Sequence, residues 1–420
     1  MLAETGWWHS FELPDGTLVR GVCSLEGLKE RIAQFPIPED LRGKRVLDIG
    51  AWDGWFSFEM ERRGAEVLAI DCWDNPRFHQ MRSTLNSKVE YREMDVFELS
   101  TETAGRFDIV LFMGVLYHLK HPLLALEKVC SIATELVAVD SYILAKDLDP
   151  AARPVLEFYE TDELEGQTDN WVGPNLACLL AMCRTAGFAR VELRKILPFS
   201  ACVACFRKWS PEIRADAPVP ELTGAIHNNN GGINFDSRRD EYLTGYFKTA
   251  DDDLQLSDIQ PQVGGFGVRP VAARRLGQGG WQINFKLPPG LTPGWHEVSL
   301  RLRNGPPSNA RRIAIDLPVA ESTPVIEGVR DGATWESDQL DLTGDILAIW
   351  ASGLPENADA HNVQVVLNGG RCTVIFLEEA RANQARQVNI KVHSSLRPGA
   401  ADLWLQIGSR RTGPVPIELR

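Results

Sequence analysis

Val46-Leu47-Asp48-Ile49-Gly50-Ala51-Trp52-Asp53-Gly54 decides how the first half of this chain folds. An apolar run that ends in an acid, turns through glycines and enters a helix is the site where a parallel sheet receives a nucleoside. Gly50 allows the tight turn, and Gly54 allows the next helix to approach closely. Outward from this stretch, RVLDIG (45–50), AEVLAID (65–71), VEYREMD (89–95), FDIVLFMG (107–114), TELVAVDSYIL (134–144) and ARVELRKIL (189–197) read as strands. FSFEMERRG (56–64), HPLLALEKVCSIA (121–133) and NLACLLAMCRTAG (175–187) carry helical spacing between them, the last stopping at Gly187. Strand–helix alternation of this kind predicts a parallel, Rossmann-like α/β sheet wrapped by helices.

The acids fall in register with strand ends. Asp71 closes the second strand, where a carboxylate accepts from both ribose hydroxyls, and Cys72 follows it. Met94-Asp95-Val96 closes the third, where a carboxylate receives an adenine amino group. A dinucleotide needs a full G-x-G-x-x-G turn so that backbone amides reach its phosphates. Here the middle glycine position holds Trp52, with Asp53 beside it. Bulk and negative charge disfavour a diphosphate, whereas Asp48 and Asp53 suit a phosphate-free nucleoside bearing a sulfonium. The expected cofactor is therefore S-adenosylmethionine, with Asp48, Gly50, Trp52, Gly54, Asp71, Cys72, Asp95, Val96 and Met113 around it.

After residue 210 the pattern changes. GWQINFKLPPG (280–290), GWHEVSLRLRNG (294–305), ARRIAIDLPV (310–319), LDLTGDILAIWASG (340–353), NVQVVLNGG (362–370), RCTVIFLEEA (371–380), RQVNIKVHSS (386–395) and ADLWLQIGS (401–409) are strands bounded by turn residues. Two hundred such residues predict two all-β, immunoglobulin-like sandwiches joined near 319–328. The expected units are an N-terminal arm at 1–40, an α/β domain at 41–210, and β-sandwiches at 211–320 and 321–420. Trp281, Trp295, Trp335, Trp350 and Trp404, about one per strand region, read as core anchors.

Residues 41–196 resemble a class I S-adenosylmethionine-dependent methyltransferase. Within that superfamily they are most similar to the tRNA wobble-uridine (mo5U34) carboxymethyl/methyl transferase family. Phe112-Met113-Gly114-Val115-Leu116-Tyr117-His118 with Pro122-Leu123 carries this closer likeness, together with Asn170-Trp171, Pro174-Asn175 and Ala186-Gly187-Phe188. The resemblance implies that Tyr117 faces the cofactor. It also implies a basic and aromatic clamp for a carboxylated cofactor, but GVCSLEGLKERI (21–32) keeps Lys29 without a tryptophan, and KILPFSACVACFRKW (195–209) has no clear arginine cluster. An unpaired buried carboxylate costs several kcal/mol, on the order of the penalty for any buried lone charge. The plain cofactor is thus expected. The unit from about 324 resembles the TIG/IPT type of immunoglobulin-like module through its strand layout.

Methyl transfer to a hydroxyl or amine requires alignment and modest base help. His118 is the candidate base, with Tyr117 beside it. Glu157, in the insertion EFYETDELEGQTDNW (157–171), and Asn170, Trp171 and Asn175 are the candidate acceptor-binding residues. No metal ligands are expected, since Cys202 and Cys205 lie in an apolar run that reads as a buried strand. Trp7-Trp8-His9 reads as an arm folding over the domain or over the cofactor.

Charge separates the acceptor classes. The chain carries a formal −13, and residues 1–210 hold 23 Lys and Arg against 32 Asp and Glu. This disfavours a broad nucleic-acid surface. Apolar runs are too short to span a bilayer, no secretory leader is legible, and seven of the eight cysteines lie in core-like contexts before residue 210; a cytoplasmic setting is expected. Three readings follow: a methyltransferase for a small-molecule or glycan acceptor whose β-domains dock or self-associate, a tRNA wobble-uridine modifier, or a non-catalytic scaffold.

Overall fold

The computed structural model describes residues 6–146, 148–342, 344–381, 384–392 and 395–420. The start of the expected arm and the tail of RQVNIKVHSS, at 1–5 and 393–394, lie outside them. Seven strands form the first sheet: β1 (Arg45–Ile49), β2 (Glu66–Asp71), β3 (Glu90–Glu93), β4 (Phe107–Met113), β5 (Ala133–Tyr142), β6 (Arg190–Ile196) and β7 (Ser200–Phe206). Their order is β3-β2-β1-β4-β5-β7-β6, with β7 antiparallel to both its neighbours. The order reverses between β1 and β4, so their carboxyl ends frame a crevice, the place where open α/β sheets bind ligands. Helices α1 (Leu25–Ile32), α2 (Trp55–Arg62), α3 (Pro76–Thr84), α4 (Pro122–Ile132) and α5 (Leu176–Thr185) cover both faces. Two clusters of buried residues, one on each face of the sheet, make the core.

The N-terminal arm belongs to this core. Trp7 and Phe11 are buried against Phe58, and His9 packs edge-on to Phe56. Asp53 anchors the arm: it is fully buried, accepts the backbone N–H groups of Trp8 (2.8 Å) and His9 (3.0 Å), and pairs with His9 Nδ1. The expectation that Asp53 faces a sulfonium is therefore corrected, because its oxygens are consumed by the arm. Asp53→Ala would leave two buried amides and an imidazole without acceptors. It is expected to destabilise the fold by about 3 kcal/mol, read as a lower urea midpoint at unchanged slope.

Beyond residue 210, two sheets share one core. Strands Glu221–His227, Tyr242–Lys248, Gly280–Lys286 and Pro270–Gly277 form one sheet. Asn234–Phe235, Arg311–Ile315, Gly294–Leu302, Ile259–Val263 and Phe266–Gly267 form the other, in that order. A further set of strands from Val325 onward encloses its own core. Of the five tryptophans expected as anchors, Trp281 is buried, whereas Trp335 is 52% exposed and Trp295, Trp350 and Trp404 are half-buried. Large rings at strand positions facing outward lie on the sheet instead, Trp295 and Trp404 beneath Arg312 and Arg411.

The β-rich half attaches at the end of the first sheet opposite the crevice. Arg207, just past antiparallel β7, is fully buried; it donates to the Pro289 carbonyl (2.6 Å) and lies 4.0 Å over the Phe266 ring. Arg106, just before β4, donates to the Gly290 carbonyl, and Trp209 Nε1 donates to Pro261 O (2.7 Å). Gly187 and Gly290 are required here. A Cβ would fall 2.7 Å from Pro289 at the first and 2.0 Å from the Ser131 carbonyl at the second.

Candidate cofactor and acceptor site

The crevice is built from the turn after β1 upward. Gly50 has φ +70°, and a Cβ there would lie 2.4 Å from Val115 Cγ2, so any side chain would push the turn after β4 away. Trp52 also adopts a left-handed backbone (φ +54°) and is 41% exposed, edge-to-face with equally exposed Trp73 at 5.6 Å. The Trp52 N–H reaches Asp71 Oδ2 (3.0 Å), and the Cys72 N–H reaches Asp71 Oδ1 (2.8 Å). One lone pair on each oxygen is thereby taken from behind, leaving a fixed carboxylate fork. Burial pushes the Asp71 carboxyl up, and the two amide bonds pull against that shift.

Asp48 is only 3% exposed, under the turn, and Ser57 Oγ donates to it at 2.6 Å. It therefore ties β1 to α2. Burial pushes its carboxyl up to about 6 from 3.8, partly offset by the Ser57 bond. A carboxyl whose folded pKa exceeds its unfolded one weakens the fold as pH rises between those values, because the unfolded chain releases the proton first. Asp48→Asn is expected to flatten that fall between pH 4 and 6 and to raise stability at pH 7 by up to about 3 kcal/mol, measured by urea unfolding across pH.

Asp95 is exposed at the end of β3, where it caps the short turn Val96–Glu98 through the Phe97 N–H (2.9 Å), with Glu98 closing the box back to the Asp95 N–H. Val96 is buried beneath, and Met113 is half-buried at the end of β4.

Tyr117 and His118 follow on the turn Leu116–His118. His118 Nδ1 lies 3.1 Å from the Asp169 carbonyl oxygen. A carbonyl only accepts, so Nδ1 donates, and in the neutral imidazole the lone pair is then on Nε2. The Trp171 N–H binds the Tyr117 carbonyl (2.8 Å), which laces the end of the 148–171 segment onto the same turn. Burial pushes the Tyr117 phenol up. Glu157 pairs with Lys146 and accepts from Tyr159, and Trp171 lies 4.1 Å beneath the Lys120 ammonium. Of these two, Trp171 is the one tied to the turn that carries His118.

Asn170 and Asn175 are both buried. Asn170 is 2% exposed and donates to the Leu164 carbonyl (3.0 Å); Asn175 is fully buried, caps α5 at the Cys178 N–H (2.8 Å) and clamps Val155 and Arg153. The Asn175 amide is thus spent on backbone groups and braces the segment, whereas Asn170, which also donates to Gln167 Oε1 (3.3 Å), keeps a buried Oδ1 without a hydrogen-bond partner among the described residues.

Arg31 escaped the sequence reading. α1, capped by Ser24, sets its guanidinium 3.1 Å from Asp140, a 2%-exposed carboxylate near the end of β5. Asp140 Oδ2 lacks a well-directed hydrogen bond among the described residues. Burial raises the Asp140 carboxyl, and Arg31 partly counters it. The available signal was the helix itself, Ser24 followed by LEGLKERI just ahead of the first strand.

Residues 24–169 match a family described as a methyltransferase domain. This segment is a class I S-adenosylmethionine-dependent methyltransferase domain. Over 86 residues, 20% of this chain, it is 40% identical to the ubiquinone biosynthesis O-methyltransferase of Acinetobacter baumannii (strain AYE), with 36% of that protein covered. It is 43% identical over 86 residues to the enzyme of the same name from Bordetella avium (strain 197N), with 35% covered. The chain thus spans about a third of the length of these curated relatives. The N-terminal domain of EvdMO1, crystallised in the presence of SAH and D-fucose, is 21% identical with a TM-score of 0.36, covering 48% of this chain and 90% of that one. Burkholderia thailandensis 1,6-didemethyltoxoflavin-N1-methyltransferase is 16% identical with a TM-score of 0.31, covering 39% and 71%.

The methyltransferase domain fits its cofactor. The Asp71 fork suits vicinal ribose hydroxyls and Asp95 an exocyclic amine. The Arg31–Asp140 pair offers opposite charges to a zwitterionic amino-acid tail. Among the described residues, no helix is long and apolar enough to cross a membrane, and no group of three or more His, Cys, Asp or Glu is placed to hold a metal ion.

Proposed function

We propose that this chain transfers methyl groups to a hydroxyl of a small-molecule or glycan acceptor. The cofactor, when bound, supplies a methyl group on a positively charged sulfur. The observation that carries the reading is His118, whose Nδ1 is committed to the Asp169 carbonyl and whose Nε2 is left to withdraw a hydroxyl proton. Tyr117 packs against His118, Trp171 is tied to the same turn, Glu157 and Asn170 are the further acceptor-binding candidates, Arg31 holds the cofactor's carboxylate, and the 148–171 segment excludes water. The relatives named as O-methyltransferases support oxygen as the acceptor atom.

The likeness to the wobble-uridine family supports the Tyr117–His118 assignment, while the acidic surface favours an acceptor other than tRNA. The two β-rich units, from about 211 and 321, are read as immunoglobulin-like modules for docking or self-association, and the setting as cytoplasmic. Labelled methyl transfer from S-adenosylmethionine tests the proposal, with hydroxyl-bearing metabolites, glycans and bulk tRNA as separate acceptor pools. Label is expected in the first two as base-resistant ether. Label confined to tRNA, or none in any pool despite cofactor binding by calorimetry, would sink it.

A further inference from the structure

One face of the sheet formed by Glu221–His227, Tyr242–Lys248, Gly280–Lys286 and Pro270–Gly277 packs its large apolar side chains inward, Leu243, Phe247, Trp281, Ile283 and Phe285 among them. The register places Arg274, Gln282, Tyr246 and Gly224 in one row across the other face, and Ala272, Asn284, Thr244 and Ile226 in the next. Beside the small Ala272, a depression of about 260 Å³ is lined by Arg274, Gln282, Asn284 and the chain at Ala273, close to the small end of ligand-sized clefts. Tyr246 lies over Gly224, where a Cβ would be 3.4 Å from its ring.

The polar groups form a directed chain. Arg274 donates to Gln282 Oε1 (3.1 Å), Gln282 Nε2 to Asn284 Oδ1 (3.4 Å), and Thr244 Oγ1 lies 3.1 Å from that same Asn284 oxygen. Arginine only donates, so the orientation of both amides follows from it. Asn284 Nδ2 is left without a protein acceptor among the described residues, and the second proton of Gln282 Nε2 likewise. The floor therefore presents fixed donors beside a recumbent aromatic ring, with the Arg274 guanidinium at its edge. Hydroxyl and ring oxygens of a sugar accept such donors, and its C–H faces pack on such a ring. At Lys286, which reaches Glu127 of α4 at 3.7 Å, the same sheet meets the methyltransferase domain, so a ligand held here is continuous with its flank.

We propose that this face is a saccharide-binding site, separate from the cofactor crevice. It does not rest on methyl transfer. Affinity electrophoresis of the full chain through gels containing dextran, mannan or polygalacturonate tests it. Retardation by at least one polymer is expected, weakened at least tenfold in Asn284→Ala and in Gln282→Ala, with calorimetric binding of S-adenosylmethionine and the melting temperature unchanged. Comparison of the neutral polymers with polygalacturonate then tells whether Arg274 adds recognition of an acid. Mobility unaffected by all three polymers, or retardation equal in wild type and both variants, overturns the proposal and leaves the methyltransferase reading intact.

Discussion

Asp71→Ala is expected to remove measurable binding of S-adenosylmethionine. Two charge-assisted hydrogen bonds to ribose hydroxyls contribute about 1.5–3 kcal/mol each, and every 1.4 kcal/mol is tenfold in affinity. The loss therefore exceeds a hundredfold from those bonds alone. The variant also frees the Cys72 N–H (2.8 Å) and the Trp52 N–H, whose 3.0 Å bond holds the two turns against each other. Titration calorimetry reads the effect, with circular dichroism and the melting curve checking that the sheet is retained. A dissociation constant within threefold of wild type, in a folded variant, would remove the ribose-binding role from Asp71.

His118→Gln is expected to act on turnover instead of on binding. General bases contribute typically 10²–10⁴-fold, and glutamine keeps the size and the hydrogen-bonding ability of the ring while losing the basic nitrogen. The expected outcome is a fall in kcat of that order with cofactor affinity unchanged. Asp169→Ala gives the matching contrast. The short contact of His118 runs to the Asp169 main-chain carbonyl at 3.1 Å, and the side-chain carboxylate stands farther off at 3.6 Å. Removing that carboxylate is thus expected to cost only a few-fold. Equal losses in the two variants would mean that the side-chain pair, and not the backbone bond, orients the imidazole.

The strands and helices that proved legible are those whose apolar residues repeat strongly. β1, β2, β4 and β5 each read as apolar runs ending at a turn, and α4 and α5 carried clear helical spacing. The run SACVACF also emerges as buried β7. α3 went unread because PRFHQMRST turns only Phe78 and Met81 inward, too few to set a period. The strand Pro270–Gly277 was missed for a related reason: it is an edge strand, and nearly all its side chains face solvent. Asp71, Asp95, Tyr117 and His118 could be singled out because each ends or follows a strand, and the structure places them there. The burial of Asn170 and Asn175 was not legible, because a buried amide bracing a loop and an amide lining a pocket have the same sequence context.

The sequence by itself determined the α/β order of the first half, the phosphate-free character of its glycine turn, and the change to β-structure after residue 210. All three follow from local periodicity and from the sterics of single positions. Only the tertiary structure decided what each polar group is for. Asp53 serves His9 across 44 residues, Arg31 meets Asp140 from a helix ahead of the sheet, and Arg207 fastens the β-rich half at the end away from the crevice. Such pairings join segments distant in the chain, and a buried charge takes whichever partner the packed core brings within reach.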